Sequence, residues 1–187
     1  MSLRFLPNLL CVLRIALVYP VAHGIMQGHY PMVLAIFAIA AFTDGLDGFL
    51  AKRFGWSTEL GKHLDPLADK LLLVTVFICL SLAKLAPWWL TATVLLRDLA
   101  IVLGAIAYRV LLGPIQGQPT RPSKLNTFCQ ILFCLAVVAE AAYGLPSRQA
   151  IAALGALAFV TTAVSGLDYV MVYSRRALSR ARTAPAA

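Results

Sequence analysis

Charge is scarce in this chain. Only 13% of its 187 residues are Asp, Glu, Lys or Arg, too few to coat the surface of a soluble globule. Acidic residues are rarer still, eight against sixteen basic ones. Cysteine is limited to Cys11, Cys79, Cys129 and Cys134. Each lies inside an apolar run, none forms a CxxC pair, and none has a histidine at metal-ligand spacing. The sequence therefore gives no sign of a disulfide framework, and the four read as buried small hydrophobes. Two-residue alternation of apolar and polar positions is absent as well, which excludes a β-barrel. No internal repeat is evident.

Apolar sequence is what remains. The chain is 60% hydrophobic with a mean hydropathy of +0.82, where soluble domains lie nearer half apolar. A helix needs about 20 apolar residues to cross a bilayer. Six segments qualify, at 8–26, 31–53, 64–84, 88–112, 124–143 and 149–173. The breaks between them carry Gly or Pro, as at Pro31, Pro87 and Gly144-Leu145-Pro146. The expected fold is an all-α integral membrane protein of six transmembrane helices. Residues 1–174 form its single catalytic domain and residues 175–187 a basic, frayed cytoplasmic tail. The first segment is long and lacks a cleavage site, so it reads as a membrane helix rather than a signal peptide.

The net charge of +8 points to an anionic membrane surface. The basic residues flank apolar segments and do not form a soluble patch, so nucleic acid is not an expected partner. With the N-terminus in the cytoplasm, eleven Lys and Arg fall on that side: Arg4, Lys52, Arg53, Lys62, Arg109, Arg121, Lys124, Arg175, Arg176, Arg180 and Arg182. Only Lys84 and Arg148 fall opposite, and Arg14, Lys70 and Arg97 lie within helices. The positive-inside rule then places both termini in the cytoplasm.

Half of the eight acidic residues are four aspartates in one hairpin. Asp44 and Asp47 are three apart and share a helix face; Asp65 and Asp69 are four apart and share a face of the next helix. A short turn makes these helices antiparallel neighbours, and the four carboxylates can converge. At the edge of a bilayer they repel one another, so a cation belongs among them. Oxygen-only ligands favour Mg²⁺ or Mn²⁺ over zinc, and this many carboxylates suits a pair of ions. Gly48 and Ala51 continue the face of Asp44 and Asp47, and Gly61 precedes Asp65 by one turn. These small residues leave room for a diphosphate and its nucleoside. Lys52, Arg53, Ser57 and Thr58 follow as donors to phosphate oxygens.

The pattern Asp44-x₂-Asp47-Gly48-x₂-Ala51-Lys52-x₈-Gly61-x₃-Asp65-x₃-Asp69 resembles the signature of the CDP-alcohol phosphatidyltransferase family. The motif spans 26 residues, and the six-helix layout extends the resemblance over nearly the whole chain. One position departs: the family usually carries arginine where this chain has Lys52. The charge is kept, the planar fork is not, and Arg53 is the alternative diphosphate contact. The resemblance implies Asp44, Asp47 and Asp65 as metal ligands and Asp69 as a general base that also touches a metal. Gly48, Lys52 and Thr58 match positions that contact the CDP-lipid, and Asn8 resembles a nucleotide-proximal position. It further implies a magnesium- or manganese-dependent homodimer that uses CDP-diacylglycerol.

Two features bear on the acceptor. Arg97, Arg121 and Lys124 are cations near the predicted cytoplasmic surface and suit an acceptor phosphate; Arg97 can equally form a local pair with Asp98. Leu96-Arg97-Asp98 with Ser123-Lys124-Leu125-Asn126-Thr127 resembles the CMP-forming cardiolipin synthase branch, whose acceptor is phosphatidylglycerol. Leu64-Asp65-Pro66-Leu67-Ala68-Asp69-Lys70 is equally similar to the phosphatidylglycerophosphate synthase branch, whose acceptor is glycerol-3-phosphate. Phosphatidylglycerol is the preferred expectation. A bacterial inner membrane is the expected location.

Other residues have plainer readings. His63 is a helix-surface group at the interface, Trp88 and Trp89 an interfacial anchor, and Glu140 and Asp168 members of structural pairs. Lys70 balances nearby negative charge. Arg14 either snorkels or faces the site. A cation transporter is the competing class, since membrane aspartates can carry ions; it would show two related halves and acids near mid-membrane.

Overall fold

The computed structural model describes the backbone of residues 6–54, 59–112 and 121–183, and the side chains of residues 12–43, 70–108, 110 and 122–171. The described residues form six helices and no strand: α1 (Leu6–Met26), α2 (Tyr30–Phe54), α3 (Glu59–Leu82), α4 (Trp88–Leu112), α5 (Arg121–Tyr143) and α6 (Arg148–Thr183). Each has 21 residues or more, hence about 32 Å or more of length, enough to cross the hydrocarbon. Trp88–Tyr108, Pro122–Tyr143 and Arg148–Met171 are apolar spans in their own right. The described parts of α1, α2 and α3 contribute the shorter apolar runs Val12–Met26, Tyr30–Thr43 and Lys70–Leu82.

The exposed side chains settle the solvent. Val110 is 77% exposed, Phe42 73% and Leu96 66%. Apolar groups this open, on helices this long, face lipid rather than water. The protein is an all-α integral membrane protein.

The turns close by backbone geometry. Gly28 ends α1 with φ +75°. Its N–H donates to the Ile25 carbonyl, and the His29 N–H donates to the Gly24 carbonyl. This pair of bonds is the Schellman arrangement, and glycine takes its left-handed position without a Cβ penalty. α3 ends the same way on Lys84, at φ 59°. There the Leu85 N–H reaches the Leu80 carbonyl at 2.8 Å. Pro87 then forbids continuation.

Two helix ends depart from the sequence expectation. α3 begins at Glu59 rather than 64, because its polar first turn is helical though not apolar. α6 runs to Thr183, about ten residues past its apolar stretch. Ala, Arg and Leu are strong helix formers, so the bilayer boundary does not end the helix.

The chain divides into two compact units. One comprises Met1–Pro87 with Ile131–Ile151, the other Trp88–Gln130 with Ala152–Ala187. In the first, α1 packs against both α2 and α3. Val21, Val33, Val76, Phe77 and Leu80 are fully buried there. Phe77 stacks on Phe133 with ring centroids 5.9 Å apart. Glu140 pairs with Arg148 at 3.8 Å, the structural role expected of it. At Gly24 the α1–α2 approach leaves no room for a side chain: an added Cβ would lie 2.6 Å from Cγ2 of Val33 and 3.1 Å from Cε of Met32. Val33 is β-branched and buried, so it cannot swing aside. Gly24→Val is expected to cost about 1–3 kcal/mol by overpacking, read as a lower thermal midpoint in detergent; an unchanged midpoint would show that the helices can part here.

The second unit is held by a buried polar ladder. Arg97 on α4 donates to Ser123 on α5 at 2.9 Å and to Ser165 on α6. One turn along, Asn126 Oδ1 accepts from Thr162 at 2.8 Å and Thr161 at 3.1 Å. Gln130 Nε2 then donates to Thr162 at 3.1 Å. Asn126, Gln130, Thr162 and Ser165 are all 2% exposed or less. Between membrane helices there is little hydrophobic drive to associate, so such hydrogen bonds, about 0.6–2 kcal/mol each, do the joining.

Candidate active site

The site is built on α2 and α3. On α2 the buried positions are Val33, Phe37 and Ala40, spaced four and three. Continuing that stripe by helical period leads to positions 44, 47, 48 and 51, the positions of Asp44, Asp47, Gly48 and Ala51. On α3 the buried positions Leu72, Leu73, Val76 and Phe77 extend backwards to 69 and 65, the positions of Asp69 and Asp65. Both stripes belong to helices that pack against α1. The backbone therefore carries all four aspartate positions on the inward stripes of one unit. Their side chains lie outside the described residues, as do those of Asn8, Gly48, Ala51, Lys52, Arg53, Gly61 and Arg121; Ser57 and Thr58 lie outside them altogether.

The donor set fits a hard divalent ion. Two helices offer carboxylates only at these positions; the thiol on the same α3 stripe, Cys79, lies ten residues past Asp69, about 15 Å along the helix. Among the described residues no three His, Cys, Asp or Glu gather at another place, so the two stripes have no rival there.

The register of α1 and α2 follows from their close approach. Gly24 faces Val33, and the two helices are antiparallel across a short turn. Ten residues back from Gly24 is Arg14; ten residues forward from Val33 is Thr43. Both steps cover about 15 Å, so Arg14 lies at the depth of Thr43 and Asp44.

The acceptor-side cations belong to the other unit. Arg97 is 9% exposed. Its Nη1 donates to Asp98 at 2.6 Å, forming an ion pair, and its Nη2 donates to Ser123 and Ser165. The local pairing with Asp98 is present, and the two serines join it. Its Nε has no hydrogen-bond partner among the described residues. Lys124 is exposed in the first turn of α5, beside Ser123 of that network. Ser165 carries no local signal in the sequence, being one hydroxyl in an apolar run. Ser123 is legible only as part of the motif around Lys124.

Comparison with known proteins agrees with this architecture. The sequence profile of the CDP-alcohol phosphatidyltransferase family matches residues 4–176. The chain is 32% identical over 182 residues to the CMP-forming cardiolipin synthase of Rattus norvegicus, an alignment covering 88% of this chain and 60% of that protein. It is 34% identical over 175 residues to a probable phosphatidylglycerophosphate synthase of Mycobacterium tuberculosis, covering 88% of this chain and 79% of that one. A probable CMP-forming cardiolipin synthase of Drosophila melanogaster is 30% identical over 186 residues, covering 91% of this chain and 58% of its own length. The chain spans about three fifths of the two cardiolipin synthases it matches. A family profile matched across nearly the whole chain, on a frame of six helices, places this chain in the CDP-alcohol phosphatidyltransferase family.

Proposed function

We propose that the chain transfers a phosphatidyl group from CDP-diacylglycerol to a glycerol-type alcohol, releasing CMP, as a step of phospholipid synthesis. What supports this reading is that helical period carries the buried stripes of α2 and α3 on to positions 44, 47, 65 and 69. Asp44, Asp47 and Asp65, with Asp69, are the residues to hold one or two Mg²⁺ or Mn²⁺ ions. When bound, such ions neutralise charge on the diphosphate as its anhydride opens.

The chain's own residues do the rest. Gly48, Ala51 and Gly61 leave clearance for the nucleotide, with Asn8 near it. Lys52 or Arg53, with Ser57 and Thr58, donate to phosphate oxygens. Asp69 takes the proton of the acceptor hydroxyl. The acceptor oxygen forms a bond to the lipid-side phosphorus; the bond from that phosphorus to the bridging oxygen breaks, and CMP leaves with the electron pair. A carboxylate acts as base here when held roughly 2.6–3.2 Å from the hydroxyl. Positioning and charge neutralisation supply most of the rate enhancement.

The preferred acceptor is phosphatidylglycerol, giving cardiolipin; glycerol-3-phosphate is the alternative. Relatives named for each activity align over 88% of the chain, so the motif alone does not choose. Arg97, Arg121 and Lys124 form the cradle for the acceptor phosphate. The working form is a homodimer in a bacterial inner membrane, with both termini and the site on the cytoplasmic side, by the charge asymmetry of the loops. Parallel assays of the purified protein with CDP-diacylglycerol and each acceptor test the assignment. Cardiolipin is the expected product; phosphatidylglycerophosphate formed in preference would reassign the acceptor to glycerol-3-phosphate.

A further inference from the structure

Arg14 is a full charge in the middle of an apolar helix, and it faces inward. It is 5% exposed, while its neighbours Val12, Leu13 and Ile15 are 59%, 51% and 37% exposed. It shares a helical stripe with Leu17, Val18, Val21 and Ile25, of which Val21 and Ile25 are 0% and 1% exposed. That is the stripe by which α1 meets its neighbours α2 and α3. Snorkelling carries a charged head to the headgroups or to water, and a side chain this buried does neither.

A buried guanidinium in a membrane protein needs an anion, because the cost of an unpaired ion there is several kcal/mol even after relaxation. The unit that contains α1 holds six acidic residues: Asp44, Asp47, Glu59, Asp65, Asp69 and Glu140. Glu140 is engaged with Arg148, near the opposite end of the helices from Asn8. Glu59 opens α3 at its polar end. The depth match derived from Gly24 and Val33 places Arg14 level with Thr43, one residue from Asp44. Asp47 and Asp65 lie nearer their helix ends, whereas Asp69 is as far from the start of α3 as Asp44 is from the end of α2; it is Asp44 that the α1–α2 register sets level with Arg14.

We propose that Arg14 is a positioning residue that pairs with the carboxylate of Asp44 from the membrane side. Deepening the proposed function and resting on it, this role fixes which way that carboxylate presents its oxygens to a divalent ion. It also makes that aspartate tolerable at its depth. α1 thereby becomes a wall of the site as well as a packing partner. The fork geometry of arginine matters, since one edge can hold a carboxylate while the stem packs among Leu17 and Val18.

The test separates pairing from activity. Breaking a buried pair by removing one partner strands the other charge, whereas removing both leaves little penalty. Arg14→Gln in metal-free detergent is therefore expected to lower the unfolding midpoint by roughly 6–20 °C, or to prevent folding. Adding Asp44→Asn to it should recover most of the loss, and adding Asp65→Asn should not. An Arg14→Gln protein as stable as wild type, or one that Asp44→Asn does not rescue, overturns the pairing. Arg14→Lys keeps the charge without the fork and is expected to bind Mn²⁺, titrated by its paramagnetic signal, at least about tenfold more weakly. Unchanged Mn²⁺ affinity in that variant overturns the positioning role. If wild type releases no CMP from CDP-diacylglycerol, the proposed function fails, and the rescue experiment still reports on the pair.

Discussion

Asp69→Asn is expected to abolish turnover while leaving nucleotide binding largely intact. Asparagine has nearly the same shape and still accepts a hydrogen bond through its carbonyl oxygen. It cannot take up the acceptor's proton. Loss of a positioned general base costs about 10²–10⁴-fold, and loss of one anionic metal contact adds to this. On the proposed function, binding of the CDP-lipid rests on other groups, namely Asp44, Asp47, Asp65 and the donors after Ala51. A variant that lowers kcat with little change in substrate affinity has lost an interaction made in the transition state. CMP release, set beside equilibrium binding of the CDP-lipid, measures both. Full activity in Asp69→Asn would show that the base is elsewhere. Asp44→Asn and Asp65→Asn should differ from it by weakening metal-dependent binding as well.

The second large effect is structural. Arg97→Ala removes a guanidinium that joins α4 to α5 and α6 through Ser123 and Ser165. It also removes the ion pair to Asp98, whose side chain is 16% exposed. Breaking a buried pair on one side costs about 3–5 kcal/mol. Arg97→Ala is therefore expected to lose most of its folded protein in detergent. Arg97→Lys keeps the charge but cannot span an aspartate and two serines with one compact head. It should fold, and it should raise the KM for the acceptor while leaving that for the CDP-lipid unchanged. A rise in both, or in neither, would confine Arg97 to holding helices together.

The helices were legible because lipid writes its thickness into the sequence. The α4 segment, expected at 88–112, matches its observed bounds, since Pro87 precedes it and Gly113-Pro114 follows it in the sequence. α3 and α6 were less legible at their polar ends, where helix continues after apolarity stops. The aspartate positions were legible as a motif, and the fold adds that they continue the buried stripes Val33-Phe37-Ala40 and Leu72-Leu73-Val76. Ser165 and Thr162 were not, because a hydroxyl in an apolar run has no period of its own. It gains meaning only when Arg97 or Asn126 comes across from another helix. Arg14 sits between these cases. Its sequence neighbours leave open whether it faces lipid or protein, and one rotation of the helix decides it.

Divalent ions held by the α2 and α3 aspartates around a nucleotide diphosphate are the centre of the proposed chemistry. Its most direct test is CMP release from CDP-diacylglycerol by the purified protein in detergent, with Mg²⁺ or Mn²⁺ and after chelation. Release that requires the metal and an added glycerol-type alcohol, and that disappears in Asp44→Asn and Asp65→Asn, is the predicted result. No CMP with any metal and alcohol, or release indifferent to chelation and to both substitutions, would contradict it.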